Sequence, residues 1–534
     1  MQQRKSNNAK VRVRLKFIPI KVPNYLCTPE SMNPRGIRSF INLKIKTMSQ
    51  NISATDTYSN ELKVYVNQEK AAVDLLNSVG KLLFDKSIEL VLFRNHMVDV
   101  SATEIMRLHK YAAEVVGKPI SIFDTADLAR GLYEMELAPA KIDIGKLASE
   151  WLAERDHFKN QSEFLSEKLR NFMQEEGADL EPRDVVLFGF GRIGRLAARE
   201  LVKQAGKGQQ LRLRAIVTRE DDDLSIKKRA ALFENDSVHG RFKGTVDVDY
   251  ENKCMIVNGQ RIHMIGAKDP GAIDYTSYGI HNALLIDNTG VFKDRSALSI
   301  HLKANGVEKV ILTAPGKEVP NIVYGINHRD LDIENETIFS AASCTTNAIC
   351  PVLKSINDAY GIDKGHIETV HAYTNDQNLL DNMHKKSRRG RSAAVNMVIT
   401  ETGAGKAVTK VIPELKDKLT ANAVRVPTPN GSLAIIHVYL NKETTLDAVN
   451  ATVRKSALEG DLVNQIYYSI SEELVSSDIV GNDCCSVFDS QATIVSPDGK
   501  GVVLYVWYDN EFGYTKQVIR LAKYVAKVRR NIYY

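Results

Sequence analysis

No run in this 534-residue chain approaches the ~18 consecutive apolar residues of a membrane span. No membrane association is expected. Cysteine is scarce: six residues, at 27, 254, 344, 350, 484 and 485, with no C-x-x-C pair. That spacing excludes a disulfide framework, and no metal site is expected. Reduced thiols in a cytoplasmic protein are the economical reading. No repeat at a period of roughly 20–50 residues is visible, which excludes a solenoid. A real excess of positive charge is missing as well. The formal net charge is +6, but residues 1–47 hold eleven Lys or Arg and one acid, Glu30. The remainder carries a net −4, so no nucleic-acid-binding body follows. The basic leader lacks the apolar region of a secretory signal, since "FIPI" is too short. It reads as an organelle presequence or as a start assigned too early. Met48 is then the working start, and residues 1–47 are not expected in the working protein.

The composition, 43% hydrophobic and 25% charged, is that of a globular protein, and the length implies several domains. Residues 48–181 read as a helical region. "EKAAVDLLNSVGKLL" and the run from Ile144 to Met173 space apolar residues three and four apart. "GKPISIFDTAD" predicts a loop and then an Asp or Thr helix cap. His96 and His109 read as ordinary surface or core residues. Glu175 to Asp184 reads as a linker. Beyond it, short apolar strands alternate with helices, which predicts a parallel sheet over residues 182–342. Past residue 360 the runs lengthen and alternate in polarity, as in an antiparallel sheet. "YTKQVIRLAKYVAKV" predicts a final helix, expected over 515–534.

"DVVLFGFGRIGRLAARELV" places Gly189, Gly191 and Gly194 in G-x-G-x-x-G between a strand and a helix. The first glycine makes the turn, the second admits a pyrophosphate to the backbone, and the third allows close helix–strand packing. The helix start then offers free N–H groups to phosphate. A dinucleotide site is expected. Glycines also mark turns that bind nothing, so the motif gains its weight from the strand before it and the helix after it.

"SAASCTTNAIC" sets Cys344 at the front of a predicted helix, among Ser343, Thr345 and Thr346. An unperturbed thiol, with pKa ~8.5, is only about 3% thiolate at neutral pH. A helix N-terminus and a nearby imidazole are expected to make the thiolate dominant. A buried, inert cysteine is the alternative, and the hydroxyls around it argue against an apolar pocket. Cys350, inside the helix, reads as structural. His371, in "ETVHAYTND", lies on a predicted strand and is a candidate base, although a lone strand histidine is usually structural.

"FGFGRIGR", "SAASCTTNAICP", "HAYTNDQ", "ETGAGKAVTKVIPELKDKLT", "RVPTPN" and "WYDNEFGYTKQV" occur in this order. Together they closely resemble phosphorylating glyceraldehyde-3-phosphate dehydrogenase, from about Asp184 to Val528. Residues 1–180 lie outside that pattern and resemble the N-terminal region of longer bacterial members. The resemblance implies an α/β fold. A Rossmann nucleotide-binding domain at 182–342 would be completed by the C-terminal helix. A catalytic α+β domain with an antiparallel sheet would span 343–514. A homotetramer is implied too.

The resemblance further implies that Cys344 is the nucleophile and His371 its partner. Hydride would pass to NAD or NADP, leaving a thioester that inorganic phosphate cleaves. Ser343, Thr345, Thr402 and Gly403 would serve the attacking phosphate. Thr374, Arg389 and Arg425 would hold the phosphate of glyceraldehyde 3-phosphate. Arg192 and Ile193 match backbone contacts to the cofactor pyrophosphate, and Asn510 matches the holder of the nicotinamide amide. Lys268 and Thr313 match further cofactor positions, with Lys268 in place of the usual Arg.

Three departures bear on the cofactor. Phe188 stands where the family usually has Asn, Thr218 where it has an acid, and Asn382–Met383 where it has Leu-Pro. With Arg219 beside Thr218, NADP is expected to serve at least as well as NAD, unless an acid of Glu220–Asp223 replaces the missing carboxylate. Two other functions compete. One is erythrose-4-phosphate dehydrogenase, with the same thiol chemistry. The other is a regulatory or interaction protein on a retired enzyme scaffold. Thr374 favours the triose enzyme, and the complete set Cys344, His371, Thr374, Arg425 and Asn510 argues against retirement.

Overall fold

The computed structural model describes residues 54–173, 181–203 and 210–534. The basic leader at 1–47 lies outside the described residues, as does most of the expected linker. The chain falls into two compact units, residues 1–65 and 66–534. Of the first, only the opening turns of the helix Ala54–Lys86 are described. Everything below concerns the second.

Residues 66–173 are mostly helical, and their helices start where short polar side chains satisfy the free N–H groups. Ser101 accepts from Glu104 N, Asp143 from Lys146 N and Asn160 from Glu163 N. The helix Ile122–Glu134 is capped by Ser121, which accepts from Phe123 N at 3.2 Å, and not by the expected Asp or Thr. His109 is structural: its ring nitrogens lie 2.8 Å from Ile105 O and 2.9 Å from Thr125 Oγ1.

This region also holds a small sheet that periodicity did not reveal. Its order is Asn95–His96, Glu89–Leu92, Ala140–Asp143, Asn531–Tyr533. The last strand comes from the C-terminus and pairs in parallel, Asn531 opposite Ala140. The final helix therefore ends at Val525 and does not run to Tyr534. Lys527 has a positive φ of 58°, which turns the chain out of the helix.

Residues 183–340 supply an eight-stranded sheet. Six strands run parallel, in the order Ile338–Ser340, Val307–Leu312, Ala283–Asp287, Arg183–Phe188, Leu211–Thr218, Gln260–Gly266. Two antiparallel strands, Cys254–Val257 and Val246–Asp249, extend it. Arg183–Phe188 is followed on one side by Leu211–Thr218 and on the other by Ala283–Asp287. The strand order reverses at this point, which opens a crevice at the carboxyl ends. The final helix, Phe512–Val525, buries Tyr514, Val518, Leu521 and Ala522 with Ala197 and Leu201 of the helix Arg192–Val202.

A second sheet has the order Val398–Thr400, Leu419–Val426, Ile362–Ala372, Ser432–Leu440, Gly501–Tyr508, Ser486–Asp489, Ile466–Ser469. It is mostly antiparallel, but Ile466–Ser469 pairs in parallel with Ser486–Asp489, and Ile362–Ala372 with Leu419–Val426. That pairing sets His371 directly opposite Arg425. The helix Cys344–Tyr360 packs Ile349, Val352, Leu353 and Ile356 into the core with Ile436, Val438 and Leu504 of this sheet.

Candidate active site

The glycine turn has separate reasons for each glycine. Gly189 takes φ +92°, and a Cβ there would meet Thr289 at 2.9 Å. At Gly194 a Cβ would lie 2.5 Å from the carbonyl oxygen of Gly189. At Gly191 a Cβ would meet nothing within 4 Å. The second glycine thus borders open space at the start of the helix Arg192–Val202, whose N-cap contributes no side-chain bond. The first turn of that helix thus offers free N–H groups, the kind of donor that suits phosphate oxygens.

The Arg192 side chain is taken up elsewhere. It donates to Glu511 Oε1 at 2.7 Å and to both oxygens of Asp236 at 2.8 and 3.1 Å. The side chain of Ile193 packs into the core beneath the turn. Phe188, the departure before the first glycine, is packed edge-on against His301 at 4.7 Å and Phe292 at 6.1 Å. It buttresses the strand end and makes no polar contact.

Thr218, Lys268 and Thr313 all stand at or just beyond the carboxyl ends of the parallel strands. Thr218 Oγ1 donates to the carbonyl of Glu220 at 2.8 Å, and Thr313 Oγ1 to that of Asp287 at 3.0 Å. Arg219 and Lys268 are exposed, and neither forms an ion pair among the described residues. Two of the acids of Glu220–Asp223 are engaged: Asp221 pairs with Lys253 at 3.1 Å, and Asp222 caps the helix Asp223–Glu234.

Cys344 opens its helix as the sequence predicted. Ser343 is the N-cap, with its Oγ accepting from Thr346 N at 3.0 Å. Ala342 is forced to φ +54°, an uncommon conformation for a residue with a Cβ. It is held there by Ser340 Oγ, which accepts from its N–H at 3.1 Å, and by Tyr514 OH, which donates to its carbonyl at 2.9 Å. Thr345 Oγ1 lies 3.1 Å from Tyr508 OH. Nothing in the sequence pattern singled out Ala342, Tyr508 or Tyr514, because their contribution is through tertiary contacts.

His371 Nε2 stands 3.6 Å from Cys344 Sγ. Its Nδ1 lies 2.7 Å from the carbonyl of Ala372 and 3.0 Å from Arg425 Nη1. Arg425 Nη1 also donates to Ala372 O at 2.9 Å and to Thr374 Oγ1 at 3.3 Å. Asp376 joins the group, accepting from Thr374 and from Arg389. Arg389 Nε donates to Thr400 at 3.0 Å. One donor is left over: Arg425 Nε is buried without a hydrogen-bond partner. A buried guanidinium N–H with no acceptor suits an anion.

Burial decides the charge state of the pair. It pushes the Cys344 thiol above its ordinary value, against the Arg425 charge and the hydrogen bonds from Thr345. It also pulls the His371 imidazole down to about 4, with the Arg425 and Arg389 charges adding to the effect. Burial thus works toward the neutral form of each group. The helix terminus and the imidazole on which the expected thiolate rests are in place, and loss of water opposes them.

Asn510 is buried, and its Oδ1 accepts from Ser432 Oγ at 2.8 Å, which leaves its amide nitrogen to donate. Ser432 Oγ in turn accepts from Ala372 N at 3.1 Å, linking Asn510 to the strand of His371. Thr402 and Gly403 precede the helix Ala404–Val411, which has no side-chain cap at Gly403. A Cβ on Gly403 would meet nothing within 4 Å. These two residues stand outside the hydrogen-bond network around His371.

Comparison with known proteins agrees with this geometry. Residues 183–295 match the glyceraldehyde 3-phosphate dehydrogenase NAD binding domain, and residues 343–510 match the C-terminal domain of the same family. A "glyceraldehyde-3-phosphate dehydrogenase-like protein" of Pseudomonas aeruginosa is 47% identical over 454 residues, covering 84% of this chain and 98% of its own. Glyceraldehyde-3-phosphate dehydrogenase of Clostridium pasteurianum is 41% identical, covering 65% of this chain and 99% of its own. Glyceraldehyde-3-phosphate dehydrogenase 1 of Bacillus subtilis is 42% identical, covering 64% and 97%. The chain belongs to the glyceraldehyde-3-phosphate dehydrogenase family and is an NAD(P)-dependent dehydrogenase.

Proposed function

We propose that the chain reversibly oxidises glyceraldehyde 3-phosphate to 1,3-bisphosphoglycerate through a thioester on Cys344. The observation that carries this is the juxtaposition of Cys344, His371 and an arginine with an unmatched buried donor. His371 is neutral at neutral pH and is free to take the thiol proton as sulfur attacks the aldehyde carbon. The imidazolium passes that proton to the former aldehyde oxygen, giving the hemithioacetal hydroxyl, and the imidazole takes it back as hydride leaves carbon. Bound NAD(P) supplies the hydride acceptor. The glycine turn would hold the cofactor's pyrophosphate, and the Asn510 amide its nicotinamide end.

Arg425, Thr374 and Arg389 hold the substrate phosphate in this reading. Ser343, Thr345, Thr402 and Gly403 receive the inorganic phosphate that cleaves the thioester. Forked guanidinium donors suit a phosphate better than a point charge does. The working form is a homotetramer. Leu379, Leu380, Met383, Val395 and Met397 are all at least 74% exposed within one short stretch, and such an apolar surface calls for a partner.

The deciding assay measures turnover of glyceraldehyde 3-phosphate and of erythrose 4-phosphate, each with and without inorganic phosphate. Phosphate-dependent reduction of cofactor with the triose as the better substrate is expected. Preference for the tetrose, or turnover indifferent to phosphate, would replace this reading.

A further inference from the structure

A cavity of about 880 Å3 lies among the small N-terminal sheet, the helix Arg192–Val202 and the final helix. That is within the range of small-molecule sites, roughly 300–1,000 Å3. It is separate from the catalytic centre: Cys344, His371, Arg425 and the three turn glycines are absent from its lining. Its walls come from segments distant in sequence, so folding of the N-terminal region onto the dehydrogenase creates it.

The charge on its walls is lopsided. Eleven lysines or arginines face it against five aspartates or glutamates. The acids are already shared. Glu89 answers both Lys141, at 3.2 Å, and Arg530, at 2.9 Å. Glu200 answers both Lys516, at 2.9 Å, and Lys203, at 2.5 Å. Behind the wall, Asp143 answers Arg94 at 3.1 Å and Glu234 answers Arg241 at 2.6 Å. Lys523 Nζ donates to Gln210 Oε1 at 2.7 Å, and Arg520 Nη1 to the carbonyl of Asp483 at 3.2 Å. Two buried donors of lining residues, Arg94 Nε and Tyr534 OH, have no acceptor.

Arg199 and Arg530 are buried and Lys141, Lys516, Arg520 and Lys523 half-buried, and gathering cations there costs stability unless negative charge answers them. The strain is visible at Lys523. Burial pulls its ammonium down to about 7, against the attraction of Glu89 and together with the charges of Arg530, Lys141 and Lys516. A bound anion would relieve this.

We propose that the cavity is a binding site for a small molecule carrying two or more phosphate groups. The space is too large for one inorganic phosphate, and the surplus of positive charge exceeds what one monoanion neutralises. Arginine forks and lysine ammonium groups together are suited to a chain of phosphates.

The test is calorimetric titration of inorganic pyrophosphate into the full chain. Saturating NAD is present throughout, so the glycine turn is occupied. The wild type is compared with an Arg520→Gln/Lys523→Gln variant and with Arg425→Ala, which removes a catalytic anion contact. Pyrophosphate binding that is at least about tenfold weaker in the cavity variant, yet retained in Arg425→Ala, is expected. Equal affinity in the cavity variant, or loss of all pyrophosphate binding in Arg425→Ala, would overturn the proposal. Should the double variant not fold, Arg529→Gln serves, since Arg529 lines the cavity and only stacks on Tyr324 and Tyr524. An unweakened affinity there would count equally against the site.

Discussion

The Cys344–His371 pair turns on which group holds the proton. With the imidazole pulled down to about 4, His371 is protonated only well below the ordinary 6.5, so it remains a usable base through the neutral range. The thiol, pushed upward by burial, ionises poorly by itself. In His371→Asn the acceptor is gone. Alkylation of Cys344 by iodoacetamide should then slow at pH 7, and its pH profile should move upward. An unchanged profile would remove His371 from proton transfer. Cofactor choice is a second question at this scale. Thr218 and the exposed Arg219 replace a carboxylate that would repel a 2′-phosphate, and Asp221 and Asp222 are engaged elsewhere. NADP should therefore be used at least as well as NAD. An Arg219–phosphate contact is worth ~1.5–3 kcal/mol, about ten- to more than a hundredfold in affinity. The comparison is kcat/KM for both cofactors in wild type and in Thr218→Asp/Arg219→Ala. A wild type favouring NAD more than tenfold, with no shift toward NAD in the variant, would refute the assignment.

The helix Cys344–Tyr360 shows how an element solves a local fault. Pro351 lies inside it and has no N–H for the carbonyl of Asn347. Cys485 fills that gap, its Sγ donating to Asn347 O at 3.1 Å. Ser486 Oγ likewise donates to Ala348 O. Of the adjacent Cys484 and Cys485, the second thus has a specific polar task. Cys485→Ala should cost about 1 kcal/mol, since a thiol is a weak donor, and Cys485→Ser should cost less. Urea midpoints of the two variants decide it, and equal losses would show that the contact carries no stability. Such contacts explain what the sequence could and could not disclose. The glycine turn, the helix cap at Ser343 and the cysteine at the first helical position are local, so residue type and spacing revealed them. Placing His371 opposite Arg425 needed a parallel pairing between strands some fifty residues apart. The strands "ELVL" and "AKID" are four residues long, without alternation, and become a sheet only with a partner from the far end of the chain.

At the scale of the molecule, two consequences follow from burial and from chain connectivity. His328 and His371 are both held near 4 by burial, against 6.5 when unfolded. Between pH 6.5 and 4 the unfolded chain binds protons that the native one does not, so stability rises with pH in that window and is lost on acidification. His328 Nδ1 accepts from Gly325 N at 3.1 Å, a bond Asn can also make. His328→Asn should therefore reduce the loss of melting temperature between pH 6.5 and 4. An identical loss would mean that His328 is not buried in neutral form. The second consequence concerns the C-terminus, which closes the N-terminal sheet. Asn531–Tyr533 pairs with Ala140–Asp143, Arg530 donates to Glu89 at 2.9 Å, and the Tyr533 ring meets Phe172 at 5.9 Å. Removing residues 530–534 exposes a strand edge and leaves Glu89 with Lys141 and His96 as partners. None of the proposed catalytic or cofactor positions lies in the deleted segment, and the final helix ends before it. The truncated chain should keep dehydrogenase activity while residues 66–173 become open to trypsin well before the rest. Proteolysis at the wild-type rate would show that the small sheet holds without its C-terminal strand. Loss of activity together with folding would show that the strand supports the whole molecule and not this region alone.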